Sequence, residues 1–133
     1  MSDYVADSHA IHWHFTKSSR LSAPARTILT EADAGLHQIF VSTISLIEFA
    51  YLSDRNAIAS ETLDAFTARL IDEDAYRLFS VDEVVARVLR KVPRNAVPDM
   101  PDRIIVATAL SLGMPLVTAD AAITSSRLVA TIW

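Results

Sequence analysis

Between Val97 and Ile123 the chain reads VPDMPDRIIVATALSLGMPLVTADAAI. This is a proline-bracketed acidic turn, an apolar helix pattern, a Gly-Met-Pro break, a short apolar run and then a further acid, Asp120. A helix followed by a strand thus carries a carboxylate at each outer end. In a parallel α/β unit the N-terminus of a helix and the C-terminus of the following strand lie on the same edge of the sheet, where such folds bind ligands. Asp102 and Asp120 are therefore expected close together in space.

The rest of the chain repeats the alternation. Tyr4 to Ala6, Gln38 to Val41, Tyr76 to Val81, Pro115 to Thr118 and Val129 to Ile132 read as strands, the last on an edge. Between them fall helical patterns over Ala10 to Phe15, from Ser22-Ala23-Pro24 to Gly35, over Ile44 to Leu52, from Ser60 onward with Leu63, Phe66 and Leu70 at helical spacing, after Ser80, and over Asp102 to Leu112 up to Gly113. Ser80-x-x-Glu83 and Ser45-x-x-Glu48 have the form of capping boxes. For the helix after Ser80 the inward stripe is expected at Val84, Val85, Val88, Leu89 and Val92. Ile58, Leu63, Phe66 and Leu70 suit either core or a partner surface. Strand–helix alternation predicts a three-layer α/β/α sandwich around a central, mostly parallel sheet of four or five strands. The 133 residues, 51% of them hydrophobic, make one domain spanning 1–133.

Composition removes several function classes. There is no cysteine, so any metal must be held by oxygen or imidazole. Two glycines leave neither a P-loop nor a dinucleotide fingerprint. A net charge of -4 speaks against a surface that coats nucleic acid generally, while allowing a local basic patch. No apolar run approaches the roughly 20 residues of a bilayer crossing, and Met1-Ser2-Asp3-Tyr4 lacks the basic and apolar regions of a signal peptide. A soluble, cytoplasmic protein is expected.

Four acids stand at junctions on the ligand-binding edge: Asp7 after the first strand, Glu48 about one turn into the helix after the second, Asp102 at a helix start, and Asp120 after the fourth strand. Singly, each has an ordinary structural use as a cap or turn residue. Together they need a cation, because two carboxylates at about 5 Å repel by roughly 3 kcal/mol at an effective dielectric of 20. Mg²⁺ or Mn²⁺ suits an all-carboxylate site, and such ions take phosphate oxygens and activated water as further ligands. Ser8 and Thr118 either orient ligands or bond backbone. Asp99, placed outside the helix by the Pro101 turn, reads as its cap. Arg103, about 100° of rotation from Asp102, is expected to pair with another acid or meet a phosphate. Arg87, Arg90, Lys91 and Arg94, a third of the twelve basic residues, form a candidate patch for a nucleic-acid backbone.

The chain resembles a PIN-domain ribonuclease, specifically the VapC-type toxin of bacterial toxin–antitoxin pairs. The resemblance rests on Asp7-Ser8-His9-Ala10 with Trp13, on Ser42-Thr43-Ile44-Ser45-Leu46-Ile47-Glu48, on Asp99-Met100-Pro101-Asp102-Arg103 with the helix that follows, and on Gly113 through Leu116-Val117-Thr118-Ala119-Asp120 to Ile132-Trp133. It implies an acidic quartet at Asp7, Glu48, Asp102 and Asp120 that binds Mg²⁺ or Mn²⁺ and hydrolyses RNA, a cognate antitoxin that covers the site, and a homodimer. Two positions depart from the pattern. Ser8 stands where threonine is commoner, and no acid follows Asp120 closely, which implies one firmly held ion with a second arriving with RNA.

Other readings are distinguishable. His9, His12 and His14 suggest zinc, but only His9 and His12 share a helical face and no His-Glu-x-x-His occurs. A metal-free ribonuclease using histidine as base leaves a cyclic phosphate, whereas metal-activated water leaves a 5′-phosphate and a 3′-hydroxyl. From another class comes a catalytically inactive PIN-like module that binds RNA or a partner. A receiver or nucleotide-binding domain shares the fold class but needs a late lysine or a glycine loop that this sequence lacks.

Overall fold

The computed structural model describes residues 3–133; of the N-terminal reading above, Met1 and Ser2 lie outside them. The strands are β1 (Tyr4–Ala6), β2 (Ile39–Ser42), β3 (Tyr76–Phe79), β4 (Leu116–Val117) and β5 (Thr131–Ile132). The helices are α1 (Ser8–Phe15), α2 (Ala23–Asp33), α3 (Ile44–Asp54), α4 (Ser60–Asp72), α5 (Glu83–Leu89), α6 (Met100–Leu112) and α7 (Ala121–Ser126). The strands form one sheet in the order β3-β2-β1-β4-β5. Every pairing among the described residues is parallel.

Two cores flank this sheet, and the two-residue period of the strands sorts side chains between them. Ala6, Ile39, Val41 and Val117 point to the face covered by α1 to α4, with Leu29, Phe49 and Phe66. Val5, Phe40 and Leu116 point to the other, with Ile105 and Ile123. The strands are apolar on both faces because both faces are covered. Ile58, Phe66 and Leu70 are buried and Leu63 packs against them, so this group is core.

The caps differ from the expected ones in instructive ways. Asp82, not Ser80, opens α5, because its Oδ1 reaches both Val84 N and Val85 N at 3.0 Å. Glu83 then becomes the first helical residue, and Val84 turns outward, 46% exposed. α5 ends at Leu89, and Val92 is buried from the turn that follows rather than from the helix. Ser45 is not a cap either: α3 starts at Ile44, so Ser45 lies in its first turn, and its buried Oγ has no hydrogen-bond partner among the described residues. At the end of α2 the cap residue is Ala34, followed by Gly35 at φ 88°. Gly113, in the left-handed region, closes α6 as expected. The short α7 was not foreseen. Its six residues present too little periodicity to separate from a loop.

β1 is central. The chain leaves it to one side for β2 and β3 and to the other for β4 and β5, so strand order reverses between β1 and β4. The crevice at the carboxyl ends of those two strands is where a doubly wound sheet binds its ligand.

Candidate metal centre

Asp7 leaves β1 and caps α1. Its Oδ1 accepts the Ala10 N–H at 2.9 Å, and its Oδ2 accepts the Thr118 hydroxyl. The residue is 4% exposed. Burial pushes its carboxyl above the ordinary range, while the bonds from Thr118 and Ala10 act against that rise. Thr118 comes directly after β4, and its oxygen also accepts the Asp120 N–H at 3.1 Å. One buried hydroxyl therefore ties together the acids that end the two strands at the reversal point. Asp120 in turn caps α7, accepting the Ile123 N–H at 2.8 Å through Oδ1, while its Oδ2 has no hydrogen bond among the described residues.

Glu48 reaches in from α3. Its Oε1 accepts the Ser8 hydroxyl at 2.8 Å, across 40 residues of sequence. Burial raises its carboxyl, with Asp99 and Asp7 adding to the rise. Asp102 is in the first turn of α6, where Asp99 caps the helix by accepting the Asp102 N–H at 3.3 Å. The Asp102 carboxylate itself accepts no hydrogen bond among the described residues. Burial, and after it the charges of Asp120, Asp99, Glu48 and Asp7, push it up to about 7. Asp102 thus feels the other three expected acids, and Asp99 with them.

None of the ion pairs among the described residues involves these acids. Nor, among those residues, do three histidine, aspartate or glutamate side chains stand close enough to hold an ion as they are. Mutual repulsion accounts for this spread, since each approach costs energy until a positive charge shares the space. The donor chemistry fits a hard divalent cation such as Mg²⁺ or Mn²⁺: all oxygen, with Asp102 and one oxygen each of Glu48 and Asp120 accepting no hydrogen bond among the described residues.

The remaining expected residues go elsewhere. Arg103 pairs with no acid among the described residues; its guanidinium donates to Val92 O at 2.8 and 3.0 Å and to Leu89 O at 3.2 Å. Leu89 O, at the end of α5, also accepts the Val92 N–H at 3.0 Å, and Val92 O lies in the turn beyond; one planar donor fork reaches both. Arg87, Arg90, Lys91 and Arg94 are exposed at and beyond that same end. His14 lies at the far end of α1 on Asp33, 2.7 Å away, so the three histidines do not gather around one point. His9 and His12 remain beside the acids, lining a groove with Glu48, Tyr51, Leu52 and Arg55. Tyr51 and Arg55 escaped the sequence reading. The available signal was their spacing from Glu48, at i+3 and i+7 on one helix face.

A family model, the PIN domain, matches residues 4–125. The chain belongs to the PIN domain family. Over 127 residues it is 29% identical to Ribonuclease VapC22 of Mycobacterium tuberculosis (strain ATCC 25618 / H37Rv), a match covering 96% of this chain and 94% of that one. Similar folds occur in solved structures. VapBC2 from Rickettsia felis, bound to a DNA fragment from their promoter, superposes with a TM-score of 0.72 at 12% identity, covering 98% of this chain and 97% of that chain. FitAcB from Neisseria gonorrhoeae gives 0.67 at 16% identity, with 98% and 96% covered. Among the described residues no helix is long and apolar enough to cross a membrane.

Proposed function

We propose that this PIN domain is a divalent-metal-dependent endoribonuclease, the toxin half of a toxin–antitoxin pair, with Asp7, Glu48, Asp102 and Asp120 as the Mg²⁺ or Mn²⁺ ligands. The observation that carries the reading is the uncompensated acid cluster at the strand-order reversal, with one carboxyl pushed up to about 7 by burial and then by its acidic neighbours. The relative named as a ribonuclease supports RNA as the substrate class.

Each residue has a task in this site. Asp7, locked by Ala10 and Thr118, is the fixed point against which the other carboxylates close. Ser8 aims Glu48, and Thr118 sets the spacing between Asp7 and Asp120. Asp99 holds the first turn of α6 so that Asp102 faces the cluster. A bound divalent ion supplies charge to neutralise the phosphate and lowers the pKa of water. Without it, the cluster repels the RNA backbone. An antitoxin and a second copy of the chain are proposed as protein partners; Ile47, Val81, Val84 and Met100 are apolar side chains left exposed for such contacts.

The test is incubation of antitoxin-free protein with structured and unstructured RNA, in Mg²⁺, Mn²⁺ or EDTA, beside Asp102→Asn. Metal-dependent cleavage leaving 5′-phosphate ends, lost in the variant, is the expected result. Cleavage that survives EDTA sinks the mechanism and moves the histidines forward. Metal binding without cleavage of any RNA favours a binding module.

A further inference from the structure

A groove of about 230 Å³ opens at the edge of the acid cluster, sharing Ser8, Glu48 and Asp99 with it and extending away along α3. Glu48, Tyr51, Leu52 and Arg55 line one wall from α3, facing His9 and His12 on α1. Their spacings, i, i+3, i+4, i+7 on α3 and i, i+3 on α1, each make a single helix face. The groove therefore begins at a proposed metal ligand and ends at a cation. Seven residues of helix separate Glu48 from Arg55, about 10 Å at 1.5 Å per residue.

The rings of the α1 wall are held. His9 packs on Trp13 at 5.4 Å, and Trp13 packs edge-on against Trp133 at 5.7 Å. His12 lies against Phe49 and Phe66 at 6.3 and 5.6 Å, and burial holds its imidazole below the ordinary value, so at neutral pH it serves as an uncharged ring. Opposite them Tyr51 is 61% exposed. Arg55, which forms no ion pair among the described residues, stands one turn beyond it.

We propose that this groove is a nucleotide subsite: a base of the RNA strand stacks between His9 and Tyr51, and the adjoining phosphate rests on Arg55. Fixed aromatic faces followed by a free guanidinium are what single-stranded nucleic acid uses, because every base has a face to stack and every nucleotide a phosphate to pair. A protein segment is the poorer occupant. The groove's volume is below the roughly 300 Å³ at which drug-sized pockets begin, enough for one planar ring system. Its acidic end becomes compatible with a phosphate only when a cation is bound there, which couples the groove to the cluster. The inference rests on the ribonuclease reading and adds to it the residues that position the strand.

The experiment uses a 5′-fluorescent single-stranded oligoribonucleotide with the full chain, Tyr51→Ala, Tyr51→Phe, Arg55→Ala and the wild type. Tyr51→Ala is expected to raise KM about ten-fold, the scale of one lost base stack, with the effect on KM rather than kcat. Tyr51→Phe, which keeps the ring, restores KM towards the wild-type value. Arg55→Ala is expected to raise KM and to make the log KM against log salt plot shallower by about 0.7, one phosphate contact on a single strand. Unchanged KM and slope in both alanine variants, with cleavage intact, overturn the subsite. So does intact cleavage accompanied by loss of self-association or of a protein partner, which assigns the face to a protein interface. If the wild type cuts nothing, the ribonuclease reading fails separately, and fluorescence anisotropy with the same oligonucleotide decides. Weaker binding in both alanine variants supports the groove; equal binding, or none by the wild type, overturns it.

Discussion

Asp102 is the carboxylate that no group in the described protein answers. Its pKa is raised from 3.8 to about 7, so folding takes up a proton at this position between those values. The stability tied to the protonated form is whole below about pH 4 and is lost as pH rises through about 7. The full shift corresponds to about 4 kcal/mol, which partial exposure reduces to about 1–2 kcal/mol. Asp102→Asn should therefore stabilise the metal-free protein by about that much at pH 8 and hardly at all at pH 4. Denaturant unfolding at the two pH values checks this, and an equal effect at both contradicts it. Thr118→Val removes the hydroxyl between Asp7 and Asp120 at nearly constant volume. It should cost about 1–2 kcal/mol of stability and about 10- to 100-fold in ribonuclease activity, read by unfolding and by cleavage rate. Asp7, Asp102 and Asp120 were legible one by one because each stands where a strand or turn is punctuated, and Glu48, one turn into a helix, because its longer side chain can reach back to the same edge. The destinations of Ser8 and Arg103 were not, because a hydroxyl 40 residues from its acceptor and a guanidinium reaching back to another helix depend on tertiary neighbours.

At the scale of elements, Arg103 matters more to architecture than its place beside Asp102 suggests. By capping Leu89 and Val92 carbonyls it fastens the end of α5 to the turn that presents Asp102. Arg103→Met should take the guanidinium from Val92 O, while Leu89 O keeps the Val92 N–H, and cost about 1–3 kcal/mol, with amide hydrogen exchange accelerated around Leu89 to Val92 and in the first turn of α6. Exchange confined to other regions contradicts the clamp. By contrast Arg87, Arg90, Lys91 and Arg94 are exposed, and their combined replacement by alanine should change stability little while weakening RNA binding and its salt dependence. Unaltered RNA affinity removes them from the proposed interface. Strands and most helices were legible to within a few residues from periodicity. Caps were less so: Ser80 and Asp82 are both good capping types, and the aspartate prevails by reaching two N–H groups where α5 begins.

For the molecule as a whole, the site follows from topology. A parallel sheet whose order reverses beside its central strand brings the ends of β1 and β4 together, and helices α3 and α6 deliver the other two acids from neighbouring connections. Alternation in the sequence was enough to expect the three layers and the shared edge. The order β3-β2-β1-β4-β5 was not readable, because pairing partners are chosen by long-range packing rather than by local pattern. Nor was the groove between α1 and α3 readable, since it exists only once those helices face each other. The central claim is that the four acids form one cation site, and calorimetric titration of Mn²⁺ into metal-free protein at pH 7.5, beside Asp102→Asn, tests it most directly. The account predicts saturable binding to the wild type with release of protons as the ion displaces them from the raised carboxyls, and much weaker binding to the variant. Absence of binding to the wild type, or equal binding to both, contradicts it.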